Sequence, residues 1–268
     1  MTSNGTGHRW KGRVALVTGA SSGIGRAVAN ALVRLDMTVI GCARNIEPIQ
    51  EDSRKLATDR SVAGSLHAIR CDMSKEADIL AMFAEIKDRY GGVDVCICNA
   101  GFNYAGSLTE SAGILNGDTQ KWRQMLDVNL LAVAICCREA VKQMAEKGTH
   151  DGQILVTNGN CGHKLASTPL HFYCVTKHAL TVLVESVRRE LKERGMGIKV
   201  AQISPGRVET NFYETMYPED APEVARKVYK HYKALQVTDI AEYMVFMLQA
   251  PPHVEFHDIL LKPTGAGI

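Results

Sequence analysis

A tyrosine and a lysine four positions apart are the first candidates for proton chemistry in this 268-residue chain. Tyr173 and Lys177 occupy positions i and i+4 of a segment with a helical pattern, so both side chains lie on one face of the predicted helix. A phenol with its ordinary pKa of ~10 exchanges protons poorly at neutral pH, whereas a neighbouring ammonium stabilises the phenolate and lowers that pKa. The pair therefore suits general acid–base catalysis, although the same spacing also occurs by chance in many helices.

A glycine-rich segment, residues 18–25 (TGASSGIG), separates a predicted strand from a predicted helix. Glycine allows a tight turn and lets the backbone approach a pyrophosphate, which then lies at the helix N-terminus. The glycine spacing is G-x3-G-x-G. The strand–turn–helix context favours dinucleotide binding, and the alternative is a tight turn with a structural role only.

Arg44 follows the second predicted strand, where dinucleotide-binding folds select their cofactor. A carboxylate there would favour NAD, because it accepts hydrogen bonds from the adenosine ribose. The segment instead reads Cys42-Ala43-Arg44, and a guanidinium suits a phosphate group. We therefore expect NADP rather than NAD, the alternative being that Arg44 is simply exposed to solvent.

These residues must be positioned by alternating strands and helices. Seven apolar runs of strand length occur at residues 14–18, 38–43, 65–71, 93–100, 152–159, 198–206 and 257–263. Helical patterns cover approximately residues 25–35, 75–91, 120–147 and 172–194. Such an alternation predicts one α/β domain over residues 1–268: a single doubly wound Rossmann domain, with a parallel seven-stranded sheet and helices on both faces.

Composition excludes several other classes. A net charge of +2 favours neither nucleic acid nor an acidic membrane surface as a partner. The eight cysteines lack metal-ligand spacing, and two apolar runs contain Cys96, Cys98, Cys136 and Cys137, which indicates buried free thiols in a reducing compartment and no metal site. The first eleven residues lack an apolar core, and no run reaches the ~20 apolar residues of a membrane span. We expect a cytoplasmic protein without a membrane span.

Taken together, the motifs resemble the short-chain dehydrogenase/reductase family. TGASSGIG, CNAG, VNLLA, YCVTK and SPGRVET occur in the family's order, and the resemblance extends from Trp10 to Thr264. Within this family the chain is most similar to the insect farnesol dehydrogenases and the dehydrogenase/reductase family member 11 group. The features shared with them are ARN after the second strand, CDMSKE and the DILLKPT tail.

The resemblance implies a role for each matching residue. Tyr173 would exchange a proton with the substrate oxygen, Lys177 would hold the nicotinamide ribose and tune the tyrosine, and Asn129 would support a water-mediated proton relay. The implied cofactor-binding residues are Gly19, Ser21, Ser22, Gly23, Ile24, Gly25, Arg44, Asp72, Met73, Asn99, Ala100, Gly101, Tyr173, Lys177, Pro205, Gly206, Val208 and Thr210. Asn129 could instead be only a buried polar group of its helix, and Thr210 only a loop cap.

One position departs from the family pattern. The family has a serine three residues before a loop glycine, and counting back from Gly162 places Gly159 there, between Asn158 and Asn160. Loss of one donor to a developing oxyanion costs ~10²–10³ in rate. Two hypotheses follow: an active NADP-dependent alcohol dehydrogenase or carbonyl reductase in which Asn158 or Asn160 substitutes for the serine, or a catalytically impaired NADP-binding protein.

The substrate is only coarsely indicated. Aromatic residues and a methionine in residues 211–235 predict a segment that covers an apolar cleft, alternatively one that packs only against the protein body. We therefore expect a small apolar alcohol or carbonyl compound of the isoprenoid (such as farnesol), retinoid or steroid type. By analogy with the family, the long helices would form a homodimer or homotetramer.

Overall fold

A computed structural model describes residues 9–106, 113–166, 169–212, 216–217 and 233–266. Most of the predicted covering segment, residues 211–235, lies outside these described residues. All statements on structure below refer to the described part of the chain.

The sheet has seven strands, all parallel, in the order β3-β2-β1-β4-β5-β6-β7. The strands are β1 Val14–Thr18, β2 Thr38–Ala43, β3 Ser65–Arg70, β4 Val95–Cys98, β5 Gln153–Thr157, β6 Lys199–Pro205 and β7 Asp258–Leu261. The strand order reverses between β1 and β4, so the crevice above their carboxyl ends is the position where such sheets bind ligands. The predicted fold class is confirmed.

Helices cover both faces of the sheet. They are α1 Gly23–Val33, α2 Glu47–Ala57, α3 Glu76–Tyr90, α4 Thr119–Leu126, α5 Ala132–Lys147, α6 His171–Glu193 and α7 Val237–Leu248. One apolar core lies between the sheet and α3, α5 and α6, and the other lies between the sheet and α1, α2 and α7. Neighbouring residues of β1 alternate between them: Leu16 points into the first core and Val17 into the second.

The single long helix predicted for residues 120–147 is interrupted. A π-helical turn, Asp127–Leu131, separates α4 from α5 and contains Asn129, whose side chain is buried. Such a turn lengthens the hydrogen-bonded repeat to i→i+5 while the chain keeps its direction. The sequence pattern also missed α2, α7 and a short 3₁₀ turn, Asn160–Gly162.

All eight cysteines are buried and none forms a disulfide. The thiols serve as small apolar side chains, and Cys96, Cys98, Cys136 and Cys137 share one core. Within the described ranges, no set of three or more His, Cys, Asp and Glu side chains is placed to bind a metal ion. In the same ranges, no helix combines the length and apolar character needed to cross a membrane.

Candidate active site

A cavity of about 670 Å³ lies above the carboxyl ends of the strands. Its walls come mainly from the segments that follow each of the seven strands and from the start of α6. This is the position that the reversal of strand order predicts for a ligand in a doubly wound sheet.

The glycine-rich loop forms one end of the cavity. Gly19 has a positive φ of 68°, and a Cβ there would lie 2.9 Å from Ala100 Cα, so both backbone conformation and space require glycine. Gly25 lies against the Gly19 carbonyl, which excludes a side chain between loop and helix. Ser22 is the N-cap of α1, and the first turn of this helix has no acidic residue. Its free N–H groups can therefore receive an anionic ligand.

Arg44 and Asp72 lie at the same end, after β2 and β3. The side chain of Arg44 is exposed at the cavity wall. Met73 beside them is buried, and its sulfur accepts weak contacts from the Cys42 and Cys71 thiols. This end therefore combines a cation, a carboxylate and an apolar floor, which suits a phosphorylated adenosine group.

Hydrogen bonds join the ends of β1, β4 and β5 beneath the cavity. Thr18 Oγ1 accepts from the Asn99 N–H at 2.9 Å, and Asn99 Nδ2 donates to the Thr18 carbonyl at 3.0 Å. Thr157 Oγ1 donates to Asn99 Oδ1 at 3.1 Å. The Asn99 carboxamide is therefore fixed between two strands, and its role here is to hold the cavity floor.

Lys177 extends this network to α6. Its Nζ donates to the Thr157 carbonyl at 3.0 Å and lies 5.5 Å from the centre of the Tyr173 ring. The side chain is almost fully buried, and burial lowers the pKa of Lys177 to about 8. A cation held next to the phenol in a poorly hydrated site is the arrangement that stabilises a phenolate.

Asn129 lies behind this pair and not on the cavity wall. Its Nδ2 donates to Thr176 Oγ1 at 3.2 Å, and Thr176 Oγ1 donates to the Tyr173 carbonyl at 2.8 Å. The π-helical turn is therefore tied directly to the first turn of α6. Asn129 acts on Tyr173 through the backbone in this structure.

The two asparagines on either side of Gly159 have different environments in the structure. Asn158 is buried, and its Nδ2 donates to Thr181 Oγ1 at 2.8 Å and to Gln202 Oε1 at 3.0 Å, so both amide hydrogens are used. Asn160 lines the cavity and is partly exposed. Of the two expected substitutes for serine, Asn160 is the one whose amide remains available to a substrate.

Almost all the residues implied by the family resemblance surround this one cavity. Gly25 and Asn129 are the exceptions, because Gly25 packs beneath the loop and Asn129 supports α6. Other wall residues were not predicted from the sequence; they are Ala43, Asn45, Cys71, Phe102, Gln124, Val128, Thr157, Cys161, Lys164, Ala166, Leu170, Arg207, Lys262, Pro263 and Ala266. Lys164 lies close after the predicted strand 152–159 and Lys262 lies near the end of the predicted strand 257–263, and these positions were the available signal.

Similarity to known proteins covers nearly the whole chain. Residues 13–221 match the family described as short chain dehydrogenase. Dehydrogenase/reductase SDR family member 11 of Bos taurus is 44% identical over 257 residues, which are 96% of this chain and 98% of the relative. Farnesol dehydrogenase of Aedes aegypti is 38% identical over 258 residues, again 96% of this chain and 98% of the relative.

Solved structures show the same fold. An alcohol dehydrogenase from the archaeon Thermococcus sibiricus, complexed with 5-hydroxy-NADP, is 25% identical with a TM-score of 0.78 and covers 96% of this chain and 99% of its own. The closed form of serine dehydrogenase complexed with NADP+ has a TM-score of 0.81 at 24% identity, over 95% of this chain and 96% of its own. At this identity the second likeness establishes the fold alone.

Proposed function

Because the chain belongs to the short-chain dehydrogenase family, we propose that it is an NADP-dependent alcohol dehydrogenase or carbonyl reductase that uses Tyr173 as its acid–base group. The observation that carries the proposal is the buried Lys177 ammonium, fixed by the Thr157 carbonyl and facing the Tyr173 ring at the cavity. The substrate is a small apolar alcohol or carbonyl compound.

The cavity fits the cofactor. The acid-free N-terminus of α1 and the tight turn at Gly19, where a Cβ would clash with Ala100, suit a pyrophosphate. Arg44 is placed to bind a 2′-phosphate, and Pro205, Gly206, Val208 and Thr210 line the same cavity. The 5-hydroxy-NADP in the Thermococcus alcohol dehydrogenase complex supports this choice of nucleotide. When bound, NADP supplies or accepts the hydride.

In the reducing direction, Tyr173 gives its phenolic proton to the carbonyl oxygen as the carbonyl carbon gains the hydride. The O–H bond of the tyrosine breaks, the O–H bond of the product alcohol forms, and a phenolate remains. Lys177 stabilises this phenolate by its charge, in a site where burial strengthens the interaction. Asn129 and Thr176 hold the backbone of Tyr173 in place for the transfer.

The wall beside Tyr173 supports an apolar substrate. Phe102, Leu170, Phe212 and Met216 line the cavity, and the Phe212 ring lies 5.8 Å from the Tyr173 ring. Such walls bind hydrocarbon groups by removing them from water. Together with the similarity to a farnesol dehydrogenase, this supports an isoprenoid such as farnesol, or a retinoid or steroid of comparable character.

The second hypothesis, a catalytically impaired NADP-binding protein, rests on Gly159 alone. It is not favoured, because the cavity keeps Tyr173 and Lys177 together and leaves the Asn160 amide next to Gly159. The relatives that match over nearly their full length are named as dehydrogenases or reductases.

The test is oxidation of NADPH with farnesal, retinal and a steroid ketone, measured for the wild type and for Tyr173→Phe. Phenylalanine keeps the ring and removes the proton, so kcat should fall by about 10²-fold or more while the apparent affinity for NADPH is kept. Tyr243→Phe, on the exposed face of α7, is the matched control and should retain full activity. A wild type inactive with every carbonyl and alcohol, or an active Tyr173→Phe, would refute the proposal.

We extend the proposal to location and assembly. Eight unpaired thiols suit the reducing cytoplasm. Exposed Val175 and Val182 on α6 and Leu131 before α5 suit a homodimer or homotetramer formed through these helices. Light scattering of the purified protein measures the assembly, and a monomeric mass would refute this part alone.

A further inference from the structure

The half of the cavity that contains Tyr173 is rich in positive charge. Among the described wall residues, Asp72 is the only carboxylate, and it lies at the adenosine end beside Arg44. The opposite end includes Lys164 and Lys262 in addition to the buried Lys177. An excess of one sign of charge in a cleft attracts ligands of the opposite sign.

Lys164 and Lys262 come together from separate parts of the chain. Lys164 follows the 3₁₀ turn after β5, and Lys262 follows β7. Both side chains line the cavity wall, and the neighbouring Lys164 ammonium lowers the pKa of Lys262. In the part of the chain that the structure describes, neither lysine forms an ion pair. Two like charges held together without a counter-ion are unfavourable until an anion binds between them.

The cofactor does not explain this pair. Its phosphates have the α1 N-terminus and Arg44, which follows β2. Lys262 follows β7, five strand spacings from β2 in the sheet, or roughly 24 Å at the usual interstrand distance. Lys262 instead lies next to Gly206, in the loop after β6, where a Cβ would approach Lys262 Cα at 3.5 Å.

We propose that the substrate carries an anionic oxygen group, a carboxylate or a phosphate, which Lys164 and Lys262 bind at the cavity rim while Tyr173 contacts the reacting oxygen at the other end of an apolar body. This inference rests on the proposed function and narrows its substrate class. The apolar wall at Leu170, Phe212 and Met216 accepts the hydrocarbon body, and both lysines are exposed at the rim, so the anion stays partly hydrated. That position avoids the cost of burying a charge.

The experiment compares ω-oxo carboxylic acids of increasing chain length with their methyl esters and with the corresponding aldehyde phosphates, at saturating NADPH. The anion would form two exposed ion pairs, one with Lys164 and one with Lys262. We therefore expect a KM about three- to tenfold lower for the acid or the phosphate than for the ester at the best chain length. The double variant Lys164→Gln/Lys262→Gln should abolish this preference and leave kcat for the ester and KM for NADPH unchanged. Lys142→Gln, exposed on α5 away from the cavity, is the control. The carboxylate and phosphate series show which anion the rim prefers.

Salt supplies an independent check. Raising ionic strength from about 0.1 M to about 1 M shortens the screening length from about 10 Å to about 3 Å, so the preference for the anion should shrink. An acid that binds no better than its ester in the wild type, or a double variant that raises KM for NADPH instead, overturns the inference. Turnover of the esters shows that the proposed function holds even then.

A binding measurement tests the preference for an anionic ligand without enzymatic turnover. Calorimetric titration of the NADP-saturated protein with dodecanoate and with dodecanol should show tighter binding of dodecanoate, and the double variant should lose the difference. Equal affinity for the two ligands overturns the inference.

Discussion

The Asn129 carboxamide binds both backbone polar groups of Phe102. Its Oδ1 accepts from the Phe102 N–H at 2.7 Å, and its Nδ2 donates to the Phe102 carbonyl at 2.8 Å. This pair of bonds imitates a β-bridge and fixes the loop after β4 to the π-helical turn. Because Nδ2 also reaches Thr176, one buried amide orders the loop, the turn and the start of α6 together.

Replacing Asn129 by alanine should therefore destabilise the protein. The Phe102 N–H and carbonyl would lose their partners in a buried site, which predicts a loss of about 3 kcal/mol in the free energy of unfolding. Urea denaturation measures this loss. Gln50→Ala, on the exposed face of α2, is the control and should change stability by less than about 0.5 kcal/mol. An Asn129→Ala protein as stable as the wild type would show that the two bonds contribute nothing.

Lys177 should make stability depend on pH in the alkaline range. Burial lowers its pKa from the usual 10.5 to about 8, so the folded protein holds a buried charge at neutral pH at a cost of about 3 kcal/mol. Between pH 8 and 10.5 the unfolded chain keeps this proton and the folded protein releases it. The contribution of Lys177 to the free energy of unfolding therefore rises with pH across this window.

The variant Lys177→Met measures this effect. After allowance for the lost bond to the Thr157 carbonyl, it should be more stable than the wild type by about 2 kcal/mol at pH 7, and this gain should vanish as the pH approaches 10.5. Urea unfolding at several pH values, with Lys142→Met as the exposed control, gives the comparison. A gain that does not change with pH would contradict the burial of a charged Lys177.

Gly159→Ser should raise activity without loss of stability. A Cβ at Gly159 meets the Pro205 carbonyl at 3.7 Å and the Cys161 nitrogen at 4.0 Å, which are ordinary contacts. The added hydroxyl would supply a donor beside Tyr173, and we expect kcat for an aldehyde to increase about tenfold to hundredfold. Gly159→Ala fills the same space without a donor and should give no increase. An equal gain in both variants would point to loop ordering instead of a hydrogen bond.

Asn160→Ala tests which residue now supplies that donor. If its amide holds the substrate oxygen, kcat should fall by about tenfold or more, and Gly159→Ser in the same chain should restore it. Asn158→Ala should act differently, because the Asn158 amide is bonded to Thr181 and Gln202 and its loss lowers stability before it lowers kcat. Kinetics and urea unfolding of each variant separate the two roles.

Arg44→Ala should weaken the preference for NADPH. A charged hydrogen bond contributes about 1.5–3 kcal/mol, so KM for NADPH should rise about tenfold or more while KM for NADH stays the same. Arg54→Ala, in the last turn of α2, is the control. If KM rises equally for both nucleotides, Arg44 contacts a group that they share.

The sequence predicted the sheet well because five of its strands, β1, β2, β4, β5 and β6, are almost entirely buried. β1 and β2 have the predicted limits, and the predicted runs for the other strands extend beyond the paired residues at their ends. Apolar character continues into the loops for one or two residues, whereas pairing stops where neighbouring strands diverge. α2 escaped detection because it has few apolar residues: its buried residues are Ile49, Asp52 and Leu56.

The sequence indicates those parts of the candidate site whose residues lie at fixed spacing within one element. Examples are Tyr173 and Lys177 in one helix and residues 18–25 in one loop. The pairing of Lys164 with Lys262 joins segments almost a hundred residues apart, and no local pattern records it. The different roles of Asn158 and Asn160 likewise depend on Gln202 and Thr181, which only the folded chain brings to them.

Because all eight cysteines are buried, the rate at which each thiol is alkylated reports local or global unfolding of the protein around it. A hydrophilic alkylating reagent finds no exposed sulfur on the folded protein, so each thiol is modified only when its surroundings open. Cys174, whose pKa the neighbouring Cys161 thiol lowers to about 6, should be modified first, and bound substrate should protect it because Cys161 lines the cavity wall. Cys96 and Cys136 should react only after global unfolding. Mass spectrometry of timed alkylation would thus map local and global stability in the unaltered protein.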